Sequence, residues 1–343
     1  MVSDPKVVKE CFTTHDRALS SRPRTSTGKF LLFDNAGFGV SPYGAYWRTI
    51  RKLAVTHLVS HDGLRATEHV RQSEVDSLVS HLCSVIRKGN DDDDDQAGTV
   101  VAMNAVFESL TLNVTTRIMA GRKSHVFDDD NSSDQEDINE EAETKRIGRL
   151  IKEFMKLAGL PVISDVIPLL SWTRGLAGSV KAMRRVAADF EPILSNWISQ
   201  HEAVSAAAAD NRHQDVIHVL LSSIKGDYYD EVFGHIPREK AINGTIMDQQ
   251  HKLQLKPEYL IGNKNFEYAP FGKGRRACPG VPMANQVIHL TLATLLQGFL
   301  LTVPGDDGHV DMTEHYTLAL QKATPLQVQI LPRLLPHLYP SME

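Results

Sequence analysis

Apolar residues recur with the spacing of α-helices along most of the 343 residues of the chain. In "YWRTIRKLAVTHLVS", Trp47, Ile50 and Ala54 fall on one face, because side chains three and four positions apart are neighbours on a helix. The same spacing recurs in "VDSLVSHLCSVIRKG", in "KRIGRLIKEFMKLAG" and in "SVKAMRRVAADFEPILSNWISQHE", where Pro192 is expected to kink or split the helix. The pattern predicts a mainly α protein.

The end of the chain adds two other patterns. Residues 281–303 form the most apolar stretch, but Asn285, Gln286 and His289 interrupt it, which favours a buried core helix over a membrane span. The segment "HYTLALQKATPLQVQILPRL" alternates and contains prolines, which is typical of short strands near the edge of a sheet. A small β portion is therefore expected beside the helices.

Two acidic runs, residues 90–98 and 127–143, interrupt the helical pattern. Like charges repel each other and pack poorly, so both runs are expected to be solvated loops inside a single domain of residues 1–343. The formal net charge of -5 at pH 7 gives the chain no overall attraction for nucleic acid or for an acidic membrane surface. Charge therefore directs attention to small-molecule chemistry.

Three cysteines occur, Cys11, Cys83 and Cys278. They are odd in number and far apart, so they do not form a disulfide framework, and a reducing compartment is the simplest expectation. Only Cys278 lies in an unusual setting, the stretch "FGKGRRACPG" at residues 271–280. That stretch is the main candidate for chemistry.

The glycines of this loop allow backbone conformations that other residues avoid, and they let a flat ligand approach closely. Arg275 and Arg276 are donors suited to carboxylates or phosphates. Cys278 precedes the long apolar helix, whose N-terminus would stabilise a thiolate. A single thiolate does not make a structural zinc site, whereas haem iron takes one axial thiolate, which favours O–O cleavage.

Three other interpretations of the loop fit the sequence less well. A phosphate-binding loop would need a terminal Lys-Ser or Lys-Thr, which is absent. A nucleic-acid contact would need a wider basic surface than "GKGRR" supplies. A buried structural cysteine would explain Cys278 alone, but not the register of Phe271, Gly274, Arg276 and Gly280 around it.

That register matches F-x-x-G-x-R-x-C-x-G, and in this the chain resembles the cytochrome P-450 superfamily at its haem-binding loop. The resemblance implies the mainly α cytochrome P-450 fold with a small β portion. It implies haem b as cofactor, with Cys278 as the axial ligand of the iron. By the same resemblance Arg276 contacts a haem propionate and Phe271 packs beside the thiolate, while Gly274 and Gly280 shape the loop.

A second motif agrees with the first. Trp47 and Arg51 in "YWRTIRK" are four residues apart, so an indole N–H and a guanidinium converge on one helix face and can donate to one carboxylate. In the superfamily this W-x-x-x-R pair binds a haem propionate. Trp47 and Arg51 are therefore predicted to bind the cofactor.

Further stretches resemble plant microsomal members, especially family 82, among them "NVTTRIMAGRK", "DVIPLLSW" and "TLALQKATPLQV". The resemblance implies a monooxygenase that oxidises a small lipophilic plant specialised metabolite, such as a terpenoid, an alkaloid or a phenolic. Its co-substrate is O2, and NADPH supplies the electrons through a flavoprotein reductase. Location on the cytosolic face of the endoplasmic reticulum membrane is implied as well. The candidate substrate-facing residues are Phe38, Tyr316, Thr317, Leu318 and Ala319.

The chain also departs from the family pattern. It starts after the membrane anchor that members carry, so we expect Met1–Glu343 not to be stably bound to membranes. Between residues 233 and 272 it has no A-G-x-D-T-T stretch and no E-x-x-R pair, which predicts an internal deletion near 247–248. No catalytic residue is identifiable without that stretch, and negligible coupled turnover is expected. The alternative function is a non-catalytic or misfolded fragment, truncated or mis-spliced.

Overall fold

Helices make up most of the described chain, as the spacing of apolar residues predicts. The described residues also contain five short strands. The structure is a computed structural model. It describes residues 4–90, 98–122, 135–160, 162–167, 169, 178–207, 215–223, 237, 239–245, 266, 271–305, 308–316 and 320–339. Two compact units are present, Met1–Arg65 with Leu150–Asn285 and Ala66–Arg149 with Gln286–Glu343.

The first unit holds the helices that carry the sequence motifs. Its elements are α1 (Pro5–Phe12), α2 (Asp16–Leu19), a π-helical turn (Thr27–Leu31), α3 (Ala45–His57), α8 (Ile163–Val166), α9 (Gly178–Ala207), α10 (Val216–Ser223), helical residues 239–245 and a 3-10 turn (Gly274–Arg276). Three further helices contain residues of both units: α4 (His61–Ala66), α7 (Gln135–Ala158) and α11 (Val281–Gly298).

Helix α3 shows why the chain folds locally as its sequence predicts. Trp47, Ile50 and Ala54 are all buried, and they lie on the face that the spacing of apolar residues defines. Helix α10 packs against both α3 and α9. The motif helix is thereby fixed by packing, so that Trp47 and Arg51 have defined positions.

The second unit joins α5 (Glu68–Asn90) and α6 (Met103–Ala120) to the strands. Strands β1 (Thr99–Ala102), β5 (Gln327–Pro332) and β2 (Phe299–Thr302) form an antiparallel sheet in the order β1-β5-β2. Strands β3 (Glu314–Tyr316) and β4 (Leu320–Lys322) form a separate antiparallel pair. The predicted late strands are confirmed, and Pro332 is the last residue of β5.

Three sequence expectations change in detail. Helix α9 runs through Pro192 without a split, since Phe190, Ile193 and Trp197 are buried around it and packing offsets the lost hydrogen bond. The second acidic run is not wholly a loop, because α7 begins at Gln135, and acidic residues favour a helix N-terminus.

The third change concerns the apolar stretch 281–303. Its helix ends at Gly298, and the chain continues directly as strand β2. Within the described residues, none of the helices combines the length and the apolar character that crossing a membrane requires. The predicted internal deletion near 247–248 falls outside the described residues.

Candidate functional site

The cysteine loop is a tight turn in front of α11. The backbone N–H of Cys278 donates to the carbonyl oxygen of Phe271 at 2.8 Å and closes the loop. Gly272 and Gly274 have φ angles of 68° and 64°, the left-handed region that glycine tolerates best. Gly280 is buried, and its carbonyl accepts the N–H of Ala284 in the first turn of α11. The loop thus presents Cys278 just ahead of a long helix.

Arg276 ties the cysteine loop to the segment that precedes α3. Its Nε donates to the carbonyl of Ser20 at 2.6 Å, while its terminal nitrogens donate to the carbonyls of Phe38 at 3.0 Å and of Ser41 at 2.7 Å. Charged donors make stronger hydrogen bonds than neutral ones, so these three fix the guanidinium firmly. In this structure Arg276 therefore has a structural role beside its predicted contact with a propionate.

The indole of Trp47 lies against two guanidinium groups. The guanidinium carbon of Arg276 is 4.3 Å from the centre of the ring, and that of Arg51 is 5.4 Å from it. Such cation–π contacts contribute about 0.5–2 kcal/mol each. Trp47 itself is only 3% exposed, and its Nε1–H has no hydrogen-bond acceptor among the described residues.

Arg51 reaches from α3 to the cysteine loop. Its guanidinium donates to the carbonyl of Ala277, next to the predicted ligand, at 2.7 Å. Burial lowers the pKa of Arg51 below its ordinary value, and the Cys278 sulfur acts in the opposite direction. A guanidinium remains charged even so. Cys278 therefore lies near a half-buried cation.

These residues fit a haem group. Trp47 supplies a buried donor that finds no acceptor in the portion of the chain the structure describes, and Arg51 supplies a half-buried cation beside it. A haem propionate is the anionic acceptor that such a pair would bind. Cys278 is a free cysteine of intermediate exposure in a loop rich in glycine, so a flat ligand could approach its sulfur.

The structure describes only some of the candidate substrate residues. Phe38 is 1% exposed, and its carbonyl oxygen accepts from Arg276, so it is tied to the cysteine loop through its backbone. Tyr316 ends β3 and pairs with Leu320 through the backbone, although its side chain is not described. Thr317, Leu318 and Ala319 lie outside the described residues.

The side chains that contact the loop and that the sequence interpretation missed include those of Tyr43 and Asp16. Asp16, in α2, accepts the backbone N–H of Arg275 at 2.9 Å, although 259 positions separate the two residues. No motif or periodicity links positions so far apart. The contact becomes visible only when the chain is folded.

The comparison with protein families agrees with the loop and with the helical fold. The cytochrome P-450 family model matches residues 1–235 and 255–330. The chain therefore belongs to the cytochrome P-450 family, whose members are haem-thiolate monooxygenases.

Individual relatives place the chain among plant enzymes of this class. It is similar to vinorine hydroxylase of Rauvolfia serpentina, with 32% identity over 412 residues, covering 99% of this chain and 82% of the relative. It is also similar to flavonoid-6-hydroxylase of Ocimum basilicum, with 28% identity over 454 residues and coverage of 99% and 82%. Cytochrome P-450 CYP82J17 of Trigonella foenum-graecum matches with 27% identity over 453 residues and coverage of 99% and 83%. The predicted resemblance to family 82 is confirmed.

Proposed function

We propose that this chain oxidises a small lipophilic plant specialised metabolite, a terpenoid, an alkaloid or a phenolic, with O2 and reductase-supplied electrons. Cys278 would ligate the haem iron, and Trp47, Arg51 and Arg276 would hold the propionates. When bound, haem with a thiolate ligand would supply the activation of O2. The residues of the chain would bind the cofactor and orient it.

The observation that carries this proposal is the indole N–H of Trp47, which has no acceptor within the described part of the chain and lies near two guanidinium groups. A buried donor without an acceptor costs about 1–3 kcal/mol, so such groups usually await a ligand or a water molecule. Two neighbouring cations make an anionic acceptor favourable at this position. A carboxylate of haem meets both requirements, and it lies on the same cofactor that Cys278 would bind through iron.

The partners follow from the class of enzyme. Electrons come from NADPH through a flavoprotein reductase, and the enzyme works on the cytosolic face of the endoplasmic reticulum membrane. The names of two relatives, a vinorine hydroxylase and a flavonoid-6-hydroxylase, support a hydroxylation of plant metabolites. For substrate contact we propose Phe38 and residues 316–319.

Two results of the comparisons bear on a second candidate, a fragment that binds haem without turnover. The alignment with vinorine hydroxylase runs over 412 positions, more than the 343 residues of this chain, and the family model leaves residues 236–254 unmatched. Both facts support an internal deletion near 247–248. The comparisons otherwise favour the enzyme, and sequencing transcripts across the codons of Met247 and Asp248 would show whether the junction is real.

The proposed ligand is tested by reconstituting the full chain with haem and recording the spectrum of its reduced carbonyl complex. We expect the thiolate signature in the unchanged chain and its loss in Cys278→Ser. The matched controls, Cys11→Ser and Cys83→Ser, should retain it. A thiolate signature that survives in Cys278→Ser would contradict the ligand assignment.

Turnover is tested separately. The reconstituted chain is mixed with a plant reductase, NADPH and a panel of terpenoids, alkaloids and phenolics, and mass spectrometry detects products that have gained one oxygen atom. Such a product supports the monooxygenase. A thiolate signature without product in any of the three classes, with the NADPH consumed appearing as peroxide, supports the fragment.

A further inference from the structure

We propose that Asp16, in the short helix α2, is a positioning residue that holds the cysteine loop in the shape that presents Cys278. This inference rests on the proposed function, in which Cys278 ligates the haem iron. Asp16 touches neither the cofactor nor the substrate in this proposal. It acts through Arg275, which lies in the turn that leads to Cys278.

Asp16 makes two polar contacts with Arg275. One carboxylate oxygen, Oδ1, accepts the backbone N–H of Arg275 at 2.9 Å. The other, Oδ2, pairs with the guanidinium Nε of Arg275 at 2.7 Å. The Asp16 side chain is 17% exposed and that of Arg275 is 46% exposed, so the carboxylate is the buried partner. A carboxylate that binds a backbone N–H fixes the course of the main chain, which a surface ion pair alone does not.

Gly274 explains how the carboxylate comes so close. Its φ of 64° lies in the left-handed region, and a Cβ added there would overlap Oδ1 of Asp16 and lie 3.1 Å from the ring of Phe12. The first approach is closer than real Cβ atoms show, and the second is tighter than most Cβ contacts. The glycine thus has two physical reasons in this chain, its backbone conformation and the approach of Asp16.

The other end of α2 holds the next residue of the loop. Ser20 directly follows the helix, and its carbonyl accepts the Nε of Arg276 at 2.6 Å. Its hydroxyl donates to the carbonyl of Arg17 at 2.8 Å, inside the same turn, and the side chain is buried. One four-residue helix therefore anchors two consecutive loop residues, Arg275 at its start and Arg276 at its end.

The loop needs such an anchor because little of its backbone is held by regular structure. The 3-10 turn Gly274–Arg276 is three residues long, and the bond from Cys278 to the carbonyl of Phe271 closes the loop at its base. A metal site requires its ligand within about 0.5 Å of the productive position, which neighbouring residues must enforce. We assign that task to Asp16 together with the Ser20 carbonyl.

The test compares three variants of the full chain. Asp16→Ala removes both contacts, Asp16→Asn keeps an oxygen for the backbone N–H and loses the ion pair, and Arg275→Gln removes only the guanidinium. Asp62→Asn is the matched control, because Asp62 is an exposed carboxylate in the first turn of another short helix, α4. The effects should decrease in the order Asp16→Ala, Asp16→Asn, Arg275→Gln, with no effect in the control.

The first readout needs no cofactor. The haem-free chain is treated with iodoacetamide, and peptide mass spectrometry follows each cysteine separately. Alkylation of Cys278 should rise about fivefold in Asp16→Ala, the order expected when charge-assisted hydrogen bonds no longer oppose a local opening. Cys83 is 3% exposed and should stay protected in every variant, which shows that the rest of the fold is retained.

The second readout is the reduced carbonyl complex of the haem-loaded chain. Asp16→Ala should lower the ratio of thiolate-type to thiol-type complex at least about twofold, because the ligand is positioned less well. Unchanged Cys278 alkylation together with an unchanged ratio would overturn the proposal. A loss of Cys83 protection in Asp16→Ala equal to that of Cys278 would also overturn it, since Asp16 would then stabilise the whole fold.

Failure of the proposed function gives a different pattern. If Cys278→Ser keeps the thiolate signature, the ligand assignment is wrong, while the alkylation experiment still decides whether Asp16 holds the loop. If Cys278→Ser loses the signature and the Asp16 variants behave like the unchanged chain, only the positioning role is wrong.

Discussion

The two adjacent arginines of the cysteine loop should differ sharply in their effect on stability. Arg276 donates to three carbonyl groups, those of Ser20, Phe38 and Ser41, and lies over the ring of Trp47. Arg275 is 46% exposed and pairs with Asp16. Replacing each in turn by glutamine removes one guanidinium from the same loop, so each variant serves as the control for the other.

The magnitudes follow from these contacts. A hydrogen bond with a charged partner contributes about 1.5–3 kcal/mol, and the cation–π contact about 0.5–1 kcal/mol more. The contributions of neighbouring contacts are not additive, and water reaches part of the site, so we expect Arg276→Gln to lower the free energy of unfolding by about 3 kcal/mol. An exposed ion pair contributes about 0–1 kcal/mol, so Arg275→Gln should lower it by less than about 1 kcal/mol.

The assay is equilibrium unfolding of the haem-free chain in urea, followed by tryptophan fluorescence. With a slope of about 1–3 kcal/mol per molar urea, the midpoint of Arg276→Gln should fall by about 1–3 M, and that of Arg275→Gln by much less. Equal slopes show that both variants unfold from the same native state. Losses within about 0.5 kcal/mol of each other would refute the reasoning, because the three carbonyl contacts would then contribute nothing beyond a surface pair.

Two further predictions concern titration. Burial raises the pKa of Cys83, so the unfolded chain loses the thiol proton near the ordinary value of 9.0 while the folded chain keeps it. The contribution of Cys83 to stability is complete below that pH and falls as the pH rises through it. The urea midpoint should therefore decline more steeply with pH in the unchanged chain than in Cys83→Ala. Hydrogen bonds from the Thr313 side chain and backbone and from Thr324 hold the pKa of Asp311 at about 2, against an ordinary 3.8. The contribution of Asp311 to stability is present above 3.8 and lost as the pH falls through about 2. A carboxyl NMR titration of the double variant Thr313→Val, Thr324→Val should show the pKa move back toward 3.8, and an unchanged titration would contradict the assignment of those bonds.

The parts of the fold that follow local rules were predictable from the sequence. The buried face of α3 and the late strands obey hydrophobic periodicity, and Gly121 ends α6 with a φ of 67°, as a glycine after a helix does. The start of α7 inside an acidic run was not predicted. Repulsion between the acidic side chains disfavours a helix there, but the helix dipole and the ion pair between Arg122 and Glu143, which lie 3.0 Å apart, act in the opposite direction.

The candidate site also has a part that the sequence predicts and a part that it does not. Trp47, Arg51, Arg276 and Cys278 stand in short motifs, and the fold places the guanidinium groups of Arg51 and Arg276, both predicted to bind the cofactor, against the indole ring of Trp47. The carbonyl acceptors of Arg276 and the carboxylate of Asp16 belong to segments more than 230 positions away. Backbone carbonyls carry no signature in a sequence, so these contacts could be found only in the folded chain.

The location of the described contacts separates two properties that one enzyme normally combines. Among the described residues, the hydrogen bonds that Asp16, Arg51 and Arg276 make around Cys278 join α2, the segment before α3, α3 itself and the loop. The resemblance to the family implies that proton delivery to oxygen depends on the acid–threonine stretch, which the sequence lacks between residues 233 and 272. We therefore expect haem binding and coupled turnover to depend on different parts of the chain. The carbonyl spectrum measures the first part alone, and the yield of oxidised product per NADPH measures the second.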